Sequence, residues 1–138
     1  MKMRKLFLLV LLPLVFLLPV NKAFGANLVI LEPTDGASVT WRPLVKGSVS
    51  GAKHVWVVVR SVENARFYVQ PKAAVRKNGS WKTSVFIGKQ ADTANNRDFE
   101  IMAVGNPTEK LSDGMELEDW PSGVVTSNIV RVVRTKMN

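Results

Sequence analysis

The chain offers few side chains that could do chemistry unaided. It has one histidine, His54, and no cysteine, which excludes a thiol nucleophile, a thiolate metal site and a disulfide framework. A histidine-based relay or metal centre would need partners that the sequence does not advertise around His54, and a lone histidine at the start of a strand is more often structural. Five of the eleven acidic residues, Glu109, Asp113, Glu116, Glu118 and Asp119, fall in one polar segment. Glycoside hydrolysis needs two carboxylates facing each other across a bond, whereas acids gathered in one loop are usually solvated. Asp113-Gly114 with Glu116 and Glu118 faintly echoes a calcium loop, but the ligand spacing of an EF-hand is missing. The expectation is a protein without catalytic residues, cofactor or metal.

Residues that recognise rather than react are better represented. Lys53 to Arg60 reads Lys-His-Val-Trp-Val-Val-Val-Arg, and its β-branched and aromatic content predicts a central strand. Side chains alternate across a strand, so Val55, Val57 and Val59 share one face and His54, Trp56, Val58 and Arg60 the other. The same alternation in Phe67 to Gln70 groups Phe67 with Val69 and leaves Arg66, Tyr68 and Gln70 opposite. From Asp98 onwards it groups Phe99, Ile101 and Ala103 against Asp98, Glu100 and Met102. With all three apolar sets turned to the core, the outer face of this sheet presents Trp56, Arg60, Arg66, Tyr68, Gln70 and Met102. Such an aromatic and basic surface is the kind from which interfaces draw their energy. Trp120, beside Pro121 in the acidic segment, joins this candidate set as the tryptophan that the packing pattern explains least.

Three arrangements satisfy the pattern. In one, the long segment from Gly105 to Gly123, carrying Leu111, Met115, Leu117 and Trp120, folds back over Trp56 and Tyr68 and makes a second small core. In another, the face stays open for a protein or a glycan. In the third, the central strand is reversed, with Trp56 inside and Val55, Val57 and Val59 outside.

The elements that must position these residues are short strands with turn residues between them. Apolar runs at Leu28 to Leu31, Ala37 to Trp41, Leu44 to Val49, Lys53 to Arg60, Phe67 to Gln70, Ser80 to Ile87, Phe99 to Val104 and Val124 to Val133 are separated by clusters such as Glu32-Pro33-Thr34-Asp35-Gly36. Asn78-Gly79 predicts a tight hairpin whose two central residues both have positive φ. Trp81 runs in phase with Thr83, Val85 and Ile87, a core-facing set, and Trp41 sits at a strand junction. Nowhere does a helical period persist over eleven residues or more. Seven to eight strands with turn signals every 8 to 12 residues or so predict an all-β fold, an immunoglobulin-like two-sheet sandwich, with a small barrel as the alternative.

Several of these segments carry a resemblance. A strand ending in Glu32-Pro33-Thr34-Asp35-Gly36-Ala37-Ser38-Val39, then Val45-Lys46-Gly47-Ser48, the Trp56 strand, Asn78-Gly79-Ser80-Trp81 and the closing Ser127-Asn128-Ile129-Val130-Arg131-Val132 resemble the immunoglobulin-like domains of bacterial surface and envelope proteins. The resemblance covers Leu28 to Val133 and implies an architecture. It does not imply an activity, because such sandwiches host many functions, and the paired cysteines of antibody domains are absent.

The N-terminus is of another kind. Lys2, Arg4 and Lys5 precede an apolar run from Leu6 to Val20, and Ala23-Phe24-Gly25 supplies small residues where a signal peptidase reads. Residues 1–25 are thus predicted to be a secretory signal peptide cleaved before Ala26, with 26–138 as a single domain. About 15 apolar residues fall short of the roughly 20 that cross a bilayer, so no membrane span is expected after cleavage. Four of the nineteen basic residues, Lys2, Arg4, Lys5 and Lys22, and none of the eleven acidic ones lie in the first 25, which leaves fifteen against eleven and lowers the net charge from +8 to +4. That balance, with Arg76-Lys77 as the only adjacent basic pair in the mature chain, gives no footprint for a nucleic acid. The sequence therefore points to an exported, periplasmic or secreted, non-enzymatic binding module. Its expected partner is another envelope or extracellular protein, met through the outer face or edge of the sheet carrying Trp56 and Tyr68, with a glycan or cell-wall polymer as the alternative.

Overall fold

A computed structural model of the protein describes residues 25–91 and 96–135. All of the predicted leader except Gly25 lies outside the described residues, as does the end of the chain after Thr135. The described chain is all-β and contains no helix. Its eleven strands are β1 (Asn27–Glu32), β2 (Ala37–Val39), β3 (Leu44–Ser50), β4 (Val55–Ser61), β5 (Phe67–Val69), β6 (Ala74–Val75), β7 (Ser80–Ser84), β8 (Arg97–Pro107), β9 (Glu116–Leu117), β10 (Gly123–Thr126) and β11 (Val130–Arg134). They form a four-stranded sheet in the order β1-β3-β7-β6 and a seven-stranded sheet in the order β2-β11-β8-β4-β5-β9, with β10 also paired to β8.

The chain crosses between sheets through the Glu32–Gly36 turn. Gly36, at φ 85°, lets the backbone double back there, and its N–H donates to the Arg131 carbonyl at 2.6 Å. The Asp35 carboxylate accepts from the Arg131 N–H at 2.8 Å, so β2 is delivered alongside β11, the two running parallel. The run expected as one strand from Val124 to Val133 is two, β10 and β11, both antiparallel to β8. Between Thr126, opposite Val104, and Val130, opposite Ile101, four steps on one side face three on the other. The extra residue is a bulge, held by Ser127, whose Oγ accepts from the Ala103 N–H at 2.8 Å.

The main core lies between the sheets. Leu28, Ile30, Val45, Val49, Trp81, Val85 and Ile87 come from the four-stranded sheet and its continuation, and Val55, Val57, Val59, Phe99, Ile101, Ala103, Val130 and Val132 come from the other. Trp81 sits over Gly47, its partner across the β3–β7 ladder, and a β-carbon at Gly47 would collide with the Trp81 ring and the Val29 carbonyl. The indole Nε1 of Trp81 is buried without a hydrogen-bond partner among the described residues.

A second, smaller core lies on the other face of the seven-stranded sheet. Val58, Phe67, Val69, Val104 and Leu111 are buried there, with Trp56, Met115, Leu117 and Trp120 packed against them. The segment after β8 is sewn over this face by two backbone bonds, from the Val69 N–H to the Met115 carbonyl at 2.9 Å and from the Gly114 N–H to the Val69 carbonyl at 2.8 Å. The outer face is therefore covered by the chain itself, and Trp56 keeps its predicted side while Val55, Val57 and Val59 stay inside.

Two expectations are corrected by the backbone. In β5, Tyr68 stands opposite Val59 and Phe67 opposite Arg60, so Phe67 and Val69 face the second core and Tyr68 faces inward, the reverse of the predicted phase. A three-residue strand between two apolar layers carries no signal to tell one layer from the other. At the β6–β7 hairpin only Gly79 has positive φ, 89°, among the turn residues. Gly79 N–H donates to the Arg76 carbonyl at 2.9 Å and Arg76 N–H to the Ser80 carbonyl at 2.8 Å. This is a three-residue loop ending in a left-handed glycine instead of a two-residue turn with two such positions. The Asn78 carboxamide oxygen supports it by accepting from the Ser80 N–H at 3.0 Å.

Candidate functional site

The seven residues singled out in the sequence do not form one surface. Trp56, Arg60 and Met102 lie on the outer face of β4 and β8. Arg60 is pinned to Glu100, directly opposite in the ladder, by an ion pair of 2.6 Å in which both side chains are largely shielded, and its guanidinium carbon lies 5.6 Å from the centre of the Phe67 ring. Met102 faces outward as predicted but is buried, opposite Val58. Trp120 packs edge-on against Phe67, with ring centres 4.9 Å apart and planes at 80°. Covering the face thus turns Met102 and Trp120 into parts of a core. Arg66 remains exposed, 3.7 Å from Glu116.

Gln70 was expected on the outer face and is instead 3% exposed. Its Nε2 donates to the Tyr68 carbonyl at 3.1 Å and its Oε1 accepts from the Phe86 N–H at 2.7 Å. It therefore ties β5 of one sheet to the chain leaving β7 of the other.

Tyr68 and Gln70 open onto a cleft of about 790 Å³ at the end of the sandwich. The volume is in the range of small-ligand and side-chain pockets. Its apolar walls are Val59, Tyr68, Phe86 and Phe99, and Gln70, Lys89, Arg97 and Asp113 bring polar groups to it. Arg97 lies 3.6 Å from Glu63. The cleft forms because the inward phase of β5 places a tyrosine where the rest of the core has valine, and because Gly88, at φ 78°, turns the chain away after Ile87. Arg134 closes the neighbouring core, 1% exposed, with its guanidinium donating to the carbonyls of Ile87 at 2.6 Å and Lys89 at 3.0 Å.

A second concavity of about 490 Å³ borders Trp56, with His54, Lys72, Asn106, Thr108 and Leu111 around it. Lys72 Nζ is 2.8 Å from His54 Nδ1 and 5.8 Å from the centre of the Trp56 ring. The donor there is the lysine, so His54 serves as an acceptor through Nδ1. Asn106, held at φ 46°, accepts from the N–H groups of Lys53 and His54 through Oδ1 at 3.1 and 3.0 Å, which shapes this rim.

Among the described residues no three histidine, cysteine or carboxylate side chains gather as metal ligands would, and no helix is long and apolar enough to cross a membrane. Phe86, Phe99, Lys89 and Arg97 were not anticipated as site residues. Phe86 alone left a trace in the sequence, as a large apolar residue out of phase with Trp81, Thr83, Val85 and Ile87. In comparisons with known proteins, no family model and no curated protein matches the chain.

Proposed function

We propose that the chain is an exported, non-enzymatic immunoglobulin-like module that binds another envelope or extracellular protein, and that it does so at the Tyr68 cleft. The observation that carries this reading is the cleft itself, with aromatic walls and converging polar groups at the open end of an otherwise filled core. An apolar side chain of the partner inserted between Tyr68, Phe86 and Phe99 would exclude water from those rings, while Lys89 would favour an acidic flanking residue. The strand order supports the immunoglobulin-like part of the reading. With β2, β9 and β10 left unlettered and the rest lettered in chain order, β1-β3-β7-β6 follows the order of the A-B-E-D sheet of such domains and β11-β8-β4-β5 that of their G-F-C-C′ sheet. The basic and apolar leader supports export.

The test is site-specific crosslinking in envelope extracts, with a photoreactive residue at Tyr68 or at Trp56. The expected result is a discrete protein adduct from position 68, suppressed by Phe86→Ala, with a melting temperature close to wild type. Adducts at neither position, or at position 56 alone, would refute the cleft as the protein-binding site.

A second reading rests on the Trp56 groove. A half-exposed indole with Lys72, Asn106 and Thr108 around it suits the apolar face and hydroxyl groups of a sugar. Binding to insoluble polysaccharide or peptidoglycan that is lost in Trp56→Ala and kept in Tyr68→Ala would favour it.

A further inference from the structure

The charges of the two sheets are arranged differently. On the seven-stranded sheet the arginines are paired or held: Arg60 by Glu100, Arg66 by Glu116, Arg131 by Asp98 at 2.8 Å, and Arg134 by backbone carbonyls. The Arg131 guanidinium is held above its ordinary pKa by its hydrogen bond to Asp98 and by that carboxylate's charge. On the outer face of the four-stranded sheet, Lys46 of β3 stands directly opposite Lys82 of β7. Arg76 joins them around a shallow concavity of about 260 Å³. All three are exposed, and none has a carboxylate within ion-pair distance among the described residues. Glu32, opposite Lys46 in the β1–β3 ladder though not within ion-pair distance, is the one acid in the four strands of this sheet, against the three cations.

Two lysines placed opposite each other in a ladder repel, and such pairs cost stability. Neither strand needs this pair for its core, since Val45 and Thr83 do the burying on the other side. The cations are also not alone on the face. Leu44 is 43% exposed and Phe86 38% exposed, and Arg42 lies 3.9 Å over the Phe86 ring, which meets Trp41 edge-on at 5.7 Å.

We infer that the outer face of the four-stranded sheet docks on an anionic phospholipid surface. Lysines spread over neighbouring strands, about 4.8 Å apart, suit an array of phosphate groups better than one convergent ligand, because an ammonium is a point charge without a fixed fork. Leu44, Phe86 and Trp41 at one end of the face supply the apolar and amphipathic groups that enter the headgroup region. The face and the cleft share Phe86, whose N–H meets Gln70 on the cleft side, so the lysines and Leu44 are the residues that belong to this face alone.

The experiment is co-sedimentation of residues 26–138, which contain both cores whole, with vesicles of phosphatidylglycerol and phosphatidylcholine or of phosphatidylcholine alone. Binding is expected to the anionic vesicles only, to fall with added salt as screening shortens the range of the charges, and to drop about tenfold or more in Lys46→Glu/Lys82→Glu. Leu44→Ser should weaken it without changing its salt dependence. Melting curves of both variants confirm that they fold. No binding to anionic vesicles at low salt, or unchanged binding by the lysine variant, would overturn the inference. So would binding that soluble polyglutamate abolishes and that Leu44→Ser leaves untouched, an outcome that points to an acidic polymer.

Discussion

Gln70 is the residue on which the proposed cleft most directly depends, and replacing it with leucine tests that dependence. The substitution keeps a side chain of similar length in a site 3% exposed, but it removes the acceptor for the Phe86 N–H and the donor to the Tyr68 carbonyl. A buried donor left without a partner costs about 1–3 kcal/mol, and the second bond contributes about 1. The gain from burying leucine in place of a carboxamide offsets part of this, about 1 kcal/mol. The net is a destabilisation of about 2 kcal/mol out of a total of roughly 5–15. For a domain of this size that corresponds to a fall of about 8 °C in melting temperature.

Two measurements check this, a thermal or urea melt for the global value and amide hydrogen exchange at Phe86 for the local one. In the wild type the Phe86 amide should exchange slowly, and in Gln70→Leu it should become one of the fastest amides next to a strand. A variant that melts within about 1 °C of wild type and still protects the Phe86 amide would refute the account of Gln70 as a tie between the sheets. The sequence-based view of Gln70 as a surface contact predicts that null result.

Two further substitutions probe the four-stranded sheet. Gly79→Val should cost about 2 kcal/mol or more in a urea melt: a β-branched residue resists the left-handed backbone at φ 89°, and its β-carbon would meet the Val49 carbonyl at 2.5 Å. Gly47→Ala should cost about 1–3 kcal/mol or more, because the added methyl must displace a strand carbonyl and a packed indole together; a near-UV circular dichroism spectrum would report the shift of Trp81.

What the sequence made legible follows from how many times a pattern repeats. The phases of β4 and β8 were readable because Val55, Val57 and Val59, and Phe99, Ile101 and Ala103, each repeat three times against sets that carry Arg60 in one strand and Asp98 and Glu100 in the other. β5 offers two apolar residues and a tyrosine, and both faces of its sheet are covered, so either phase buries something. β2, β6, β9 and β10 have only two to four residues each, too few for any period, and exist because longer neighbours present free backbone groups to them. The cleft was illegible for another reason. Its walls come from β4, β5, the chain after β7 and the start of β8, and no spacing in the sequence announces that these four places meet.

Sheet edges were an alternative route to a partner, and the side chains bear on whether the edges are open. An unpaired edge strand invites another chain to add to it. At β1 the Asn128 carboxamide occupies that place, accepting from the Ile30 N–H at 2.9 Å and facing the Ile30 carbonyl with its amide nitrogen at 3.4 Å. After β7, the Gln70 oxygen takes the Phe86 N–H in the same manner. β5 is partly covered by β9, which pairs with Phe67 and Tyr68. Two carboxamides and a two-residue strand therefore fill positions that an incoming strand would need at β1, after β7 and at β5, and strand addition at those three places would first have to displace them. The cleft, the Trp56 groove and the outer face of the four-stranded sheet demand no such displacement, which is the physical reason to place binding there and not at those three positions.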